Sequence, residues 1–250
     1  MRGREMAHPG RHHDRVVEVV GRAIVTGRYR EGESVSPERL AEEFGVSRPV
    51  IREAFRALQG KGLLVARPKV GTRVSDPRTW NYLDPQVITW RLESDRRTEQ
   101  VDELYSVRLA VEPVAARMAA LRSKPADVAQ LTHAIDTMYA ALDQRDLHTF
   151  VSADVEFHVA LLDLSGSKMF ECLSSVIATA VRTRETLVFP VVEAMRRGLA
   201  LHRQLVQDIM TGAPELETTS RRLIVDAHEE ANRALGVWGS GTDTQVPSEL

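Results

Sequence analysis

The sequence has a single cysteine, Cys172, among its 250 residues. One thiol excludes an intramolecular disulfide framework and is typical of proteins from a reducing compartment. The chain also lacks an apolar run long enough to cross a bilayer, and its N-terminus has no apolar segment of the kind found in secretory signals. These absences predict a soluble, cytoplasmic protein.

Charge is balanced overall but unevenly distributed. The net charge of the chain is −2, yet residues 1–80 carry 16 basic and 10 acidic side chains, while the remaining 170 residues carry 17 basic and 25 acidic ones. A basic segment joined to an acidic one is typical of a nucleic-acid-binding domain attached to a second domain. The split could also be accidental, so the interpretation depends on the motifs that follow.

Hydrophobic periodicity divides the chain into five segments. Residues 1–12 and 237–250 lack periodicity and are predicted to be flexible tails. Residues 13–78 contain three short helical patterns and then two strand-like ones, and residues 79–98 are predicted to form a linker that includes a short amphipathic helix. Residues 99–236 show the 3.6-residue period in nearly every window, which predicts a helical bundle of about six helices.

The first of these domains contains a helix-turn-helix pattern. Its first helix is predicted to bury one apolar face, formed by Val16, Val19, Val20, Ala23 and Ile24. Ser36 and Pro37 are expected to begin its second helix, Gly45 to end it, and Ser47 to cap the third. A helix, a Gly-Val-Ser turn and another helix match the spacing of a DNA-binding helix-turn-helix. The third helix would bury one apolar face, formed by Ile51, Ala54, Phe55 and Leu58.

Another face of the third helix carries Arg48, Arg52 and Arg56, each four residues from the next. Guanidinium groups at these positions suit phosphates and the acceptor edges of guanine in the major groove. A row of charges on a helix is often no more than a solvated surface. Its place on the recognition helix favours DNA binding here.

Two short apolar strands in residues 63–74 flank a basic turn that contains Lys69 and Gly71. This pattern predicts a winged hairpin whose turn lies against a phosphate or the minor groove. The predicted fold class is therefore mainly α, with an N-terminal winged helix-turn-helix followed by a C-terminal all-helical bundle.

Four polar residues interrupt the apolar faces of the predicted bundle. Asp154 and His158 lie four residues apart on one such face, and His202 and His228 lie on those of two later helices. Buried carboxylates and imidazoles are unfavourable without partners. Each histidine alone could be a core residue bonded to a backbone carbonyl, but together the four predict a site for a divalent metal ion such as Zn²⁺ or Ni²⁺.

Arg108 also falls on an apolar face, where a guanidinium must meet an anion. Glu112, one turn further along, could be that partner. Alternatively, Arg108 could bind the carboxylate of a ligand beside the metal through two parallel hydrogen bonds. The sequence leaves both interpretations open.

The N-terminal block contains five motifs that together carry a family resemblance: Ile24-Val25-Thr26-Gly27-Arg28, Leu40-Ala41-Glu42, Gly45-Val46-Ser47-Arg48, Arg52-Glu53-Ala54-Phe55-Arg56-Ala57-Leu58 and Gly71-Thr72-Arg73-Val74. With these motifs the block resembles the GntR family of bacterial transcription regulators. This resemblance implies that Arg48, Arg52 and Gly71 contact DNA, and we add Ser47, Arg56, Lys69 and Arg39, which stands beside Glu38 where the family usually has an arginine.

The polar residues of the later block have a spacing that carries a second resemblance: Arg108, Glu112, Asp154, His158, His202 and His228. With this spacing the block resembles the helical ligand-binding domain, called FCD, of the FadR subfamily within GntR regulators. This likeness implies a helical bundle, a dimer, a metal held by Asp154, His158, His202 and His228, and small carboxylate effectors. The interval from His202 to His228 is longer than usual in the family by about one helical turn.

Together these features predict a homodimeric transcription regulator, a repressor that binds a short palindrome in double-stranded DNA and responds to a small carboxylate. Residues 80–92 resemble family members that sense sugar acids such as galactonate. Two alternatives stay open at this point. Three histidines and a carboxylate could activate water in a metal-dependent hydrolase, or the metal could be purely structural in a DNA-binding protein.

Overall fold

A computed structural model describes residues 9–68, 70–122, 124, 127–187 and 192–239. The chain divides into two compact units, Met1–Arg97 and Thr98–Leu250. The first contains the helices α1 (Pro9–Val25), α2 (Pro37–Phe44), α3 (Arg48–Gly60) and α4 (Pro85–Leu92), a 3₁₀ turn (Pro77–Thr79), and the strands β1 (Leu64–Arg67) and β2 (Gly71–Val74).

The second unit is helical throughout its described residues. It contains α5 (Arg97–Arg122), which starts at the boundary between the units, and then α6 (Ala129–Gln144), α7 (Leu147–Leu164), α8 (Lys168–Glu171), α9 (Ser174–Leu187), α10 (Val192–Thr211) and α11 (Leu216–Gly239). Of these seven, α8 is a single turn. The predicted fold class, a winged helix-turn-helix followed by a helical bundle, is confirmed.

The residues of the predicted tails that adjoin the folded domains are helical. Helix α1 begins at Pro9 and α11 extends to Gly239, so residues 9–12 and 237–239 continue these helices. The other tail residues, 1–8 and 240–250, lie outside the described part of the chain. Among the described helices, none combines the length and the apolar character that crossing a membrane requires.

Local signals set the bounds of α2 and α3. The Ser36 hydroxyl accepts a hydrogen bond from the Arg39 backbone N–H at 3.2 Å, Pro37 occupies the first helical position, and Gly45 ends α2 with a φ of +62°. Ser47 occupies the N-cap position of α3, but its side chain makes no capping hydrogen bond. The expectation that Ser47 caps α3 with its side chain is therefore wrong.

The core of the first unit confirms the predicted apolar face of α3, because Ile51, Ala54, Phe55 and Leu58 are all buried. Helix α1 departs from its predicted pattern at one position. Val19, expected to be inside, is 46% exposed, and Val17 is buried in its place.

Residues 79–97 are part of the first unit rather than a separate linker. Helix α4 packs against α1 and buries Val87 and Trp90 in the same core. The Trp90 Nε1–H donates to Glu18 Oε1 at 3.0 Å. The indole lies so close to Gly21 that a Cβ at Gly21 would be 2.3 Å from it. The contact depends on a glycine in α1 and a tryptophan in α4. Hydrophobic periodicity describes each helix separately and does not predict that these two residues meet.

The second unit is built around α7, which packs against α6 and α9, while α10 packs against α6 and α11. Helix α6 ends at Arg145, whose φ is +57°, and α7 begins where Asp146 accepts a hydrogen bond from the Thr149 backbone N–H at 3.0 Å. Two apolar clusters lie on either side of α7, one including Phe157 and the other Leu162. This central position surrounds the polar residues of α7 with protein.

Candidate DNA-binding surface and metal centre

The exposed face of α3 presents its arginines as the sequence predicts. Arg48, Arg52 and Arg56 are exposed. Arg56 pairs with Glu53, with 2.7 Å between Nη1 and Oε1, whereas Arg48 and Arg52 make no ion pair with any described residue. Two guanidinium groups on the recognition helix are thus available for phosphates or base edges.

The wing is a two-stranded antiparallel hairpin in which Leu64 pairs with Val74 and Arg67 with Gly71. Gly71 is exposed and has a φ of +89°, which an L side chain rarely adopts. Its backbone can therefore approach a phosphate closely. Arg39, on α2, is also exposed. The other candidate contact of the wing, Lys69, lies outside the described residues.

The candidate metal ligands of α7 and α10 meet in the interior of the second unit. Asp154, His158 and His202 are buried, and each offers a ligand atom within 4.8 Å of the other two. Asp154 and His158 are one helical turn apart, with 3.3 Å between Oδ1 and Nε2. The Phe157 ring packs edge-on against the His202 ring at 4.6 Å. These three residues form what we call the DHH cluster.

Two acceptor atoms face each other within the DHH cluster. His202 Nε2 lies 3.1 Å from Asp154 Oδ1, but neither atom makes a hydrogen bond with any described residue. His202 Nδ1 lies 2.8 Å from the Gly198 carbonyl, to which it donates its proton, so a neutral ring presents a lone pair at Nε2. Burial lowers the pKa of His202, which favours the neutral ring. A lone pair facing a carboxylate oxygen fits a bound cation.

Glu112 and Arg108 support the cluster from α5. Glu112 Oε2 lies 2.6 Å from His158 Nδ1, and Arg108 Nε donates to Glu112 Oε1 at 2.6 Å. Burial would raise the pKa of Glu112, but Arg108 and His158 lower it to about 2. A carboxylate bonded to the far nitrogen of a ligating histidine orients that ring for a metal.

Of the two partners that the sequence allows for Arg108, the structure shows Glu112. The guanidinium also reaches the cluster itself, since Arg108 Nη2 lies 3.0 Å from His158 Nε2. Arg108 is therefore at the edge of the candidate metal site, in a position where a ligand carboxylate could share it.

Arg184 is a site residue that the sequence reasoning missed. Its Nη1 donates to Asp154 Oδ2 at 2.9 Å, and its Nη2 lies 3.6 Å from Glu230 Oε2. Burial would raise the pKa of Asp154, but His158, His202 and Arg184 hold it well below the ordinary value. A signal was present in the sequence, because Arg184 follows the buried Ile177 and Val181 by seven and three residues, on the same face of α9.

The structure does not bring His228 to the DHH cluster. The His228 side chain is 26% exposed, and its Nε2 lies 2.7 Å from Asp102 Oδ1. Its ring stacks on the Tyr105 ring, with 4.6 Å between centroids. The expected fourth ligand is thus engaged by α5, and the long interval between His202 and His228 is consistent with a shifted position on α11.

Comparison with known proteins identifies both domains. Residues 12–74 match the bacterial regulatory proteins of the gntR family, and residues 103–226 match the FCD domain. Over 170 residues the chain is 37% identical to the galactonate operon transcriptional repressor of Escherichia coli (strain K12), covering 68% of this chain and 73% of the relative. The chain belongs to the GntR family. It is a DNA-binding transcriptional regulator with a FadR-type architecture, as the sequence predicts.

Further relatives of this GntR-family regulator extend over most of its length. The HTH-type transcriptional regulator Mce2R of Mycobacterium tuberculosis (strain CDC 1551 / Oshkosh) is 28% identical over 225 residues, which are 89% of this chain and 90% of the relative. A solved structure titled "Lar controls the expression of the Listeria monocytogenes agr system and mediates virulence" has a TM-score of 0.63 at 18% identity, covering 92% and 99% of the two chains. The latter shows a shared fold. The FCD domain also implies a small-molecule effector.

Proposed function

We propose that this GntR regulator is a homodimeric repressor that acts on operator DNA in the cytoplasm and is released by a small carboxylate. The two winged helix-turn-helix domains of the dimer would bind a short palindrome, because a two-fold dimer matches a two-fold operator. Arg48 and Arg52 would contact bases or phosphates. The sugar-phosphate backbone of the DNA would be contacted by Ser47, Arg56, Arg39 and the wing residues Lys69 and Gly71.

The pair of facing acceptors, His202 Nε2 and Asp154 Oδ1, is the observation that carries the sensory half of the proposal. Two buried acceptors 3.1 Å apart are unfavourable unless a cation lies between or beside them. A set of two imidazoles and one carboxylate suits Zn²⁺ or Ni²⁺. Asp154, His158 and His202 would hold the ion, which supplies a Lewis-acidic positive charge to an effector's oxygens.

The residues around the cluster favour an anionic effector. Arg108 lies within 3.0 Å of His158 Nε2, and Arg184 reaches Asp154 from α9. A carboxylate near the metal would find one or both guanidinium groups within reach. A sugar acid is the class we propose, because a relative that shares 37% identity is a repressor of a galactonate operon.

Release requires that the effector bind better to the form of the protein that does not hold DNA. A coupling free energy of about 1–3 kcal/mol between the two sites lowers operator affinity roughly 5–150-fold. Binding of effector and binding of operator must weaken each other by the same factor.

The proposal is tested with a thermal-shift screen of sugar acids and simple carboxylates on zinc-loaded protein. A palindrome recovered from randomised duplexes then serves for operator titrations with and without each compound. We expect at least one sugar acid to raise the melting temperature and to weaken operator binding, and chelation to abolish both effects. If operator binding persists unchanged with every compound and after chelation, the metal is structural and the sensory proposal is wrong.

A further inference from the structure

Tyr105, on α5, carries a hydroxyl group that the fold does not use. The side chain is 1% exposed, and its hydroxyl makes no hydrogen bond with any residue in the described part of the chain. Buried hydroxyl groups ordinarily have a partner, and an exception calls for an explanation in terms of function or a ligand. Burial raises the pKa of the Tyr105 phenol, so it is a protonated donor near neutral pH.

The ring of Tyr105 lies beside a side chain that contacts the DHH cluster. The Arg108 guanidinium carbon lies 5.4 Å from the centroid of the Tyr105 ring, and Arg108 Nη2 lies 3.0 Å from His158 Nε2. One guanidinium therefore packs against the Tyr105 ring and also contacts a candidate metal ligand, and the charges of Arg108, Arg184 and Asp154 all act on the phenol. A carboxylate that shares Arg108 would bring the rest of the effector close to Tyr105.

The orientation of the Tyr105 ring is fixed by α11. The His228 ring stacks on it with an interplanar angle of 17°. His228 is itself held, with Nε2 2.7 Å from Asp102 Oδ1 and 3.2 Å from Asn232 Nδ2. A stacked imidazole with two polar partners restrains the phenol and points to a role for His228 other than metal binding.

We propose that Tyr105 is a specificity-determining residue of the effector site, donating a hydrogen bond to a hydroxyl group of a hydroxylated carboxylate, and that His228 is the positioning residue that holds its ring. The proposal rests on the proposed function, since it concerns the same site. It adds to that function the residue that would recognise a hydroxyl group of the acid, while Arg108 would bind its carboxylate.

The test compares Tyr105→Phe with wild type, using galactonate, gluconate and hexanoate as probes on zinc-loaded protein. Phenylalanine keeps the stacked ring and removes the hydroxyl. We expect the affinity for the hydroxylated acid that binds best to fall about tenfold or more, because a site that reads a hydroxyl discriminates strongly. Zinc content, melting temperature and operator affinity without effector should stay at the wild-type level. Tyr139→Phe, on α6, is the matched control and should leave the affinity unchanged.

A second variant addresses the positioning role. His228→Ala should keep one zinc ion per chain but lower the affinity for the same acid several-fold, whereas loss of zinc would overturn the role assigned to His228.

Equal affinity of Tyr105→Phe and wild type for the hydroxylated acid would overturn the proposal for Tyr105. If wild-type protein binds none of the probes, it is the proposed sugar-acid function that fails. The same question can be answered without mutation by titrating the wild-type protein with acids that each lack one hydroxyl group. Removing the one hydroxyl that Tyr105 binds should account for the loss of affinity.

Discussion

His202 Nε2 and Asp154 Oδ1 lie 3.1 Å apart in the interior of the FCD domain without a hydrogen bond to each other or to another described residue. The Gly198 carbonyl fixes the tautomer of His202, so the two atoms meet as acceptors. A cation beside the two acceptors would neutralise this arrangement, which is why it supports the proposed divalent-ion site.

His202→Ala should lower zinc affinity by at least about 100-fold, since loss of an outer partner alone costs about 10–100-fold. His228→Ala is the matched control and should keep its zinc, because His228 lies with Asp102 instead of the cluster. Elemental analysis after dialysis against a buffered zinc concentration measures both. Equal loss from the two variants would show that His228 is a ligand after all.

Arg52→Ala should abolish specific footprinting of the operator. Loss of a two-pronged contact to a base costs about 1–3 kcal/mol, and Arg52 has no ion pair among the described residues to keep it from DNA. Ligand-induced thermal stabilisation should be unaffected. Arg56→Ala should have a smaller effect, because Arg56 is already paired with Glu53. An unchanged footprint for Arg52→Ala would mean that α3 is not the recognition helix.

Ser36→Ala and Ser47→Ala should differ in kind. Removing the Ser36 hydroxyl, which caps α2, should destabilise the first unit by about 1 kcal/mol. Ser47 makes no capping hydrogen bond, so Ser47→Ala should be nearly neutral for stability and weaken operator binding instead. Urea unfolding and operator titrations separate the two effects. A comparable loss of stability in both variants would contradict the assigned roles.

Gly62→Ala should be more destabilising than Gly27→Ala. Both glycines have a positive φ, +75° and +78°, so each alanine pays about 1–2 kcal/mol for the left-handed conformation. At Gly62 the new Cβ would also lie 2.0 Å from the Thr79 carbonyl oxygen, while at Gly27 it would meet nothing within 4 Å. The difference between the two free energies of unfolding isolates the clash. Equal values would place Thr79 elsewhere in solution.

The chelated protein should lose stability as the pH falls from about 4.5 towards 2. In the folded state the pKa of Glu112 is lowered to about 2, whereas in the unfolded chain it is near 4.5. The unfolded state therefore binds a proton first, and the stability that Glu112 contributes above pH 4.5 disappears in this window. Urea midpoints at successive pH values measure the slope. Glu112→Gln should be less stable at neutral pH and show a shallower acid dependence.

Much of the winged helix-turn-helix could be predicted from sequence, because the signals that set its helix ends and buried faces are local. Ser36, Pro37 and Gly45 mark the ends of α2 within ten residues, and the period of 3.6 defines the buried face of α3. Val19 shows the limit of prediction from periodicity. Several valines in α1 give nearly equal support to neighbouring faces of the helix, so the predicted buried face differs from the observed one by part of a turn.

The candidate site was harder to predict, since its geometry depends on which helices meet. Asp154 and His158 share a helix, and their proximity follows from their spacing. For His228 the sequence showed a histidine on an apolar face but not that Asp102 and Tyr105 would engage it first. Arg184 was missed because a charged residue near the end of a helix ordinarily indicates solvent, whereas here it pairs with a buried carboxylate.

The indole of Trp90, inserted against Gly21, has a practical consequence for dissecting this regulator. A fragment that stops at the end of the wing would leave a tryptophan-sized slot along α1 open to water and Glu18 without its indole donor. Chimaeras that join this DNA-binding domain to another ligand-binding domain should therefore place the junction beyond Leu92. The compact unit that contains the wing, Met1–Arg97, is longer than the segment 12–74 that matches the gntR family.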